Sequence, residues 1–537
     1  MSGTRIYRAR RVVTLTPAEP EAFAVVGDRI AATGRLTDLR AGFPDAEQVD
    51  LGDAVVVPGF NDAHIHIAMT AEDLLHLDLS VNAVRSIADI LARVGEAAAG
   101  QAPGTWIRGS RYDDGKMAQP LTRWDLDEAA PDHPALVVQV AGHWGVVNSA
   151  ALRAAGIDEG STPPAGGAYG RDATGRLNGI LFEQALFDFA YPAVSRTGRT
   201  VVPRTSFEEK LTGLRRAVRL FHAAGLTSIT DALIGPDDLR LLIEGERRGL
   251  LTLRTNVLIA AEHYDAIRRV GITGAFGGDR LRIAGIKTFV DGAIGGRTCL
   301  LETPFEGTTD DYGIQTRSED ELRDTVRMAH RDGMPVGVHA NGDRAIGLIL
   351  GLFEEAQSAD PRPGLRHRIE HCTVVTEDIL RRMRRLDAIA VPFGSYVHYH
   401  GSRLLDWYGE ERLRRMFAHR WFADAGVLAA GSSDFPCGPF EPLLALQSCV
   451  TRQGWDGPVL GENQRLSTEE ALALYTVNAA ASTGETASKG RLAPGMLADF
   501  VVLGADPVGA VPDTLSGVPV RETYVGGVRV WAQEVTV

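Results

Sequence analysis

The stretch Val55-Val-Val-Pro-Gly-Phe-Asn-Asp-Ala-His-Ile-His66 decides how the chain is read. An apolar run ends in two histidines two positions apart. On a strand, side chains at i and i+2 point to the same face. His64 and His66 are therefore expected side by side at a strand end, an arrangement that suits a divalent metal. Ordinary surface or core histidines can share this spacing. The motif gains weight only from what the rest of the chain supplies.

Downstream of about residue 206, helical patterns alternate with short apolar strands. Ser206 to Ala224 has apolar residues at helical spacing, with Gly225 as its stop. Strands are expected at Leu226–Ala232, Leu253–Ala260, Arg282–Val290, Met334–Ala340, Arg366–Cys372, Ala388–Phe393 and Gly426–Asp434. With the His-x-His strand these make eight, and repeated β-α units with eight strands predict a (β/α)8 TIM barrel in the α/β class. An open doubly wound sheet is the competing architecture. It lacks support, because no Gly-x-Gly-x-x-Gly follows the first strand.

The two chain ends read as short strands. Arg5–Leu15 is one, and Ala22–Val26 and Arg29–Ala32 form a hairpin across Gly27-Asp28. Asp499–Leu503 and a hairpin turning at Gly526-Gly527 mirror them at the other end. Neither set alone could cover both faces of a sheet. A small β-sandwich domain built from residues 1–57 plus 490–537 is expected, with the barrel spanning 58–489. Residues 67–205 are irregular and too long for a loop. They read as an insertion after barrel strand 1, emerging over the face where barrel active sites lie.

A formal net charge of -13 disfavours nucleic acid or an anionic membrane as partner. No secretory signal follows the basic N-terminus, and no apolar run is long enough to span a bilayer. Cys299, Cys372, Cys437 and Cys449 are scattered and form no Cys-x-x-Cys, which fits a reduced, cytoplasmic setting. The partners expected are a small-molecule substrate and, at most, a second copy of the chain in a homodimer.

Each candidate ligand lies at or near the C-terminal end of a predicted strand: His64 and His66 on strand 1, Lys287 on strand 4, His339 on strand 5, His371 on strand 6 and Asp434 on strand 8. Closing a barrel brings these ends into one ring. Four histidines and a carboxylate are good ligands for zinc or a similar metal. From position alone, Lys287 reads as a salt bridge to Asp291 or a snorkelling side chain. Around this set, His143, Arg297, Tyr396 and His398 are candidate substrate contacts. Asp62 is placed to orient one imidazole through a hydrogen bond, and Asp291 to support the site from behind. Cys372 and Cys437 lie near proposed ligands, and Glu370 is expected to face away from the site.

Five segments carry a family resemblance: Pro58–His66, Ile286–Arg297, His339–Ala345, Arg368–His371 and Gly431–Asp434. The tail Gly490-Arg-Leu-Ala-Pro-Gly-Met-Leu-Ala-Asp-Phe-Val-Val-Leu joins them. Together they resemble the amidohydrolase superfamily, within it the amidohydrolase-3, YtcJ-like group that includes N-substituted formamide deformylase. The resemblance implies a divalent metal, usually zinc, as one or two ions. His64 and His66 would hold one with Asp434, and His339 and His371 a second. Lys287, carboxylated, would bridge the two, since a buried lysine of lowered pKa can add carbon dioxide. The implied activity is hydrolysis of a C–N amide-type bond of an N-acyl or N-formyl small molecule by metal-activated water, with Asp434 moving the proton. A deaminase, lactonase or phosphotriesterase on the same scaffold is the alternative. A non-catalytic assembly protein would be expected to lack ligands, and all six positions here are filled.

Overall fold

The computed structural model describes residues 3–81, 83–192, 194–196 and 200–534. The decisive stretch proves to be a joint between two sheets. Val55–Pro58 runs antiparallel to Phe500–Leu503 in a sheet made from both chain ends. Strand β1 (Phe60–Ile65) instead pairs in parallel with strand β2 (Leu226–Ile234) of the barrel. Gly59 sits at the switch. A Cβ there would come within 2.2 Å of the Thr227 hydroxyl, so only glycine lets the chain pass.

The barrel continues through β3 (Arg254–Ala260), β4 (Leu281–Phe289), β5 (Val336–Ala340), β6 (Arg368–His371) and β7 (Ile389–Val391), each parallel to its neighbour. Residues 429–432 close it. Ala429 and Ser432 bridge in parallel to Ala390 and Phe393. On the other side the Ala63 amide donates to the Gly431 carbonyl at 3.1 Å. The eighth position is thus held by isolated bridges rather than a full strand. Helices such as Phe207–Ala223 pack outside, their apolar faces forming one continuous core with the strands. Ser206 caps that helix by accepting from the Glu209 amide, and Gly225, at φ 84°, ends it.

The terminal strands build two sheets. One is ordered Arg29–Gly34, Ala22–Val26, Arg5–Arg8, Glu47–Asp50; the other Arg11–Val12, Val55–Pro58, Phe500–Leu503, Val520–Val525, Val528–Ala532. They face each other as a sandwich across Tyr7, Phe23, Phe500 and Tyr524, whose rings lie 4.3 to 5.5 Å apart. The single strand expected over Arg5–Leu15 is in fact two, because the chain crosses from one sheet to the other between Arg8 and Arg11. A buried pair, Arg254 with Asp499 at 2.6 and 3.0 Å, ties the barrel to the C-terminal strands.

After β1 the chain enters helix α1 (Ile67–Asp73) and then a six-stranded sheet ordered Gly167–Arg171, Leu177–Glu183, Trp144–Val147, Ala135–Gln139, Ile107–Tyr112, Leu77–Asp78. The stretch read as irregular therefore has its own sheet and its own cores, around Val94, Leu126 and Val146 on one face and Leu136, Leu181 and Phe189 on the other. Among the described residues no helix is long and apolar enough to cross a membrane. All four cysteines are free and buried.

Candidate metal centre

His64 is the penultimate residue of β1, and His66 lies just past its end. Their rings lie 5.2 Å apart, as the strand period requires. Asp434, just beyond the closing segment, is anchored by its amide to the His64 carbonyl at 2.8 Å. Its Oδ1 lies 3.2 Å from His64 Nε2 and 3.0 Å from His66 Nε2. These three donors all fall within 4.8 Å of one another. Two imidazole nitrogens and a carboxylate oxygen converging on one point fit a divalent cation such as zinc.

The tautomer of His64 fits as well. Its Nδ1–H donates to Glu370 Oε2 at 2.6 Å, which leaves the Nε2 lone pair facing Asp434 and His66. Glu370 is itself gripped by Arg368 at 2.7 and 2.9 Å, and all three side chains are buried. Burial would raise the Glu370 pKa, but the Arg368 charge and the His64 bond hold it well below the usual carboxylate range. The expectation that Glu370 faces away from the site is therefore corrected. Glu370 points inward on β6, and His371 turns inward too because its backbone is left-handed, at φ 69°. Strand alternation fails at that one residue.

His371, His339 and Lys287 complete the ring. The His371 ring centroid is 4.6 Å from that of His64 and 4.5 Å from that of His339. Among the described residues His371 Nδ1 is buried without a hydrogen-bond partner. His339 Nε2 lies 3.1 Å from the Gly292 carbonyl and 3.0 Å from Asn341 Nδ2, contacts that fix the orientation of the ring. Burial lowers both histidines well below their ordinary pKa, so both are neutral near pH 7. Lys287 is buried, and burial lowers its pKa to about 8. Among the described residues no carboxylate lies within ion-pairing distance of its amine, which sits 4.5 Å from the centre of the Phe289 ring. The salt bridge to Asp291 does not form. Asp291 instead accepts from the amides of Leu300, Asn341 and Gly342, with its Oδ1 3.8 Å from His339 Nε2.

The remaining candidates divide. His143 reaches the mouth from the inserted sheet, its ring 5.1 Å from His339, and donates through Nδ1 to Glu183 at 2.7 Å. Burial would lower the His143 pKa, but Glu183 raises it above the ordinary value. Glu183, whose other oxygen accepts from Thr298, escaped the sequence reading because nothing local marks it. Tyr396 lines the mouth, its hydroxyl 3.5 Å from Asp434 Oδ2, and a stack runs from His371 through Phe393 to Tyr396. His398 does not reach the site; it turns its Nδ1 to the Gln453 carbonyl. Tyr396–His400 is a helical turn, so positions 396 and 400 share a face and His400 lines the mouth instead. Arg297 also lies elsewhere, its guanidinium 5.4 Å from the Phe305 ring centre. Asp62 orients backbone rather than an imidazole, accepting from the amides of His64 and Ser433. Cys437 lines the mouth, whereas Cys372 packs against Met383. Asp231 was not anticipated: its Oδ1 is 3.7 Å from His66 Nδ1, and Oδ2 accepts from the Ala68 amide.

The amidohydrolase family model matches residues 47–531, nearly the entire chain. The chain belongs to the amidohydrolase family. This amidohydrolase is 31% identical over 520 residues to YtcJ of Bacillus subtilis (strain 168), across 94% of this chain and 95% of that protein. It is 28% identical over 520 residues to N-substituted formamide deformylase of Arthrobacter pascens, across 95% and 94%. A solved metal-dependent hydrolase from Pyrococcus furiosus matches at a TM-score of 0.73 and 26% identity, over 94% of this chain and 100% of that one. Another from Pyrococcus horikoshii OT3 shares the fold at a TM-score of 0.76 and 24% identity, over 96% and 99%. Family and site together support a hydrolase whose mouth takes a divalent metal.

Proposed function

We propose that the barrel mouth hydrolyses a C–N amide-type bond in a small N-acyl or N-formyl molecule. One observation carries the reading: donors from strands far apart in sequence meet at one end of the barrel, with the first histidine held by Glu370 in the tautomer a metal requires. The likeness to a formamide deformylase supports the choice of bond. In this reading His64, His66 and Asp434 would hold one divalent ion, zinc by family likeness, and His339, His371 and carboxylated Lys287 would supply the ligands for a second. A bound divalent metal supplies an acidified water and polarises the scissile carbonyl.

The protein's own groups do the rest. Asp434 takes a proton from the attacking water and hands it to the departing nitrogen. The Tyr396 hydroxyl lies close enough to Asp434 Oδ2 to steady the carboxylate between those steps. His143, held by Glu183, offers its second ring nitrogen to the substrate from above. Phe187 and Tyr191 of the inserted segment and Phe289 of β4 wall the mouth and limit water. A panel of N-formyl and N-acyl amines, lactones and aminated heterocycles tests the assignment on metal-loaded protein. Release of acid with free amine is expected. Ammonia alone, or turnover confined to lactones, would replace the assignment with a deaminase or a lactonase.

A further inference from the structure

Beside the metal centre lies a second cavity of about 270 Å³, bounded by α1, the segment after β2 and residues 190–192 and 194. His66, Met69, Tyr191 and Leu233 line both it and the mouth, so the two spaces adjoin. Its size suits one arm of a small substrate. The near wall is apolar and the far wall ionic.

The ionic wall does not balance. Glu72 is matched by Arg108 at 2.9 Å and Lys210 at 3.0 Å, and Asp237 by Arg204 at 2.7 Å. The three cations are thus already engaged by carboxylates. Asp238 caps its own helix by accepting from the Gly235 amide. Asp73 is different. No hydrogen bond reaches its carboxylate among the described residues, and its nearest ion-pair partner is His76 Nδ1, at 3.9 Å. A fifth of the side chain remains exposed. Arg108 and Arg111 act on it only through space. Its charge is also felt at the Tyr191 hydroxyl and the Cys437 thiol, both on the mouth. Burial pushes the Asp73 carboxyl up to about 7, and a cation reaching it from the mouth is the occupant that would hold it ionised.

We propose that Asp73 determines specificity by binding a protonated amine on the substrate arm that enters this cavity. This rests on the C–N hydrolysis proposed above and narrows its substrates to N-acyl or N-formyl compounds bearing a second, free amino group. An anionic arm is disfavoured because Arg108, Lys210 and Arg204, the lysine and arginines lining this cavity among the described residues, are each already paired with a carboxylate.

The test compares N-acetyl-1,5-diaminopentane with N-hexylacetamide, in which a methyl replaces the ammonium, on the metal-loaded full-length protein. The charged amide is expected to show a kcat/KM about tenfold higher or more, the effect of one charge-assisted hydrogen bond. Asp73→Asn, which breaks no side-chain hydrogen bond among the described residues, should bring the ratio to within about twofold. Calorimetric binding of both amides to the same two proteins is the second readout. There too the charged amide should bind tighter, and Asp73→Asn should remove the difference. Equal rates with equal binding, or a preference that survives Asp73→Asn, would overturn the inference while leaving the hydrolase reading intact. If neither amide is cleaved, the C–N reading is in trouble, and the binding comparison alone decides for or against Asp73.

Discussion

In the proposed mechanism Asp434 has two duties, holding a cation with His64 and His66 and moving the proton, and substitution can separate them. Asp434→Asn keeps an oxygen at 3.0 to 3.2 Å from both imidazoles but cannot take a proton. Bound metal should stay close to the wild-type level by elemental analysis, while kcat falls by about a hundredfold or more. Glu370→Gln probes a different property. It weakens the grip on His64 Nδ1 and leaves the buried Arg368 guanidinium without its counter-charge. Metal affinity should drop about 10- to 100-fold, and thermal unfolding should show a loss of about 3 kcal/mol or more. Normal metal affinity in that variant would mean the Glu370 contact does not orient the ligand. The histidines were legible in the sequence because His-x-His at a strand end follows from strand geometry. Glu370 was not, because its partner lies 306 positions away. The neighbouring His371 also hides the pattern by turning through a left-handed backbone at φ 69°.

Among elements, α1 is the piece through which the barrel meets its insertion. Glu72 near its end binds Lys210 on the helix Phe207–Ala223 and Arg108 on the strand Ile107–Tyr112. Burial alone would raise its pKa, but those two cations outweigh burial and hold it at about 2, below the ordinary 4.5. The group therefore stabilises the fold fully above pH 4.5, and the contribution disappears as pH falls through about 2. At pH 7 Glu72→Gln should cost about 3 kcal/mol. The gap in melting temperature between variant and parent should close steadily between pH 4.5 and 2. A gap independent of pH would show that the carboxylate charge plays no part. The barrel strands were readable because each is a short apolar run bounded by helix signals. The inserted sheet was not, because its strands are broken by glycines such as Gly109, Gly145 and Gly179, the last at φ 88°. The turn at Tyr396–His400 is only five residues long, too short for a periodic pattern to show that His400 rather than His398 shares the inward face with Tyr396.

For the whole molecule, the path of the chain explains the site. Both ends of the chain build the sandwich, Gly59 hands the chain to the barrel, and the insertion returns His143, Glu183, Phe187 and Tyr191 over the mouth. Barrel closure then gathers side chains from positions 64 to 434 at one rim. Pattern alone indicated that gathering, because eight β-α units allow few arrangements. It could not place the loops that choose the substrate, since their packing depends on contacts between distant segments. Anomalous diffraction from crystals of zinc-loaded protein would locate the bound ion. Density is expected between His64, His66 and Asp434, with any further peak beside His339, His371 and Lys287. A metal bound anywhere else, with the mouth empty, would contradict this placement.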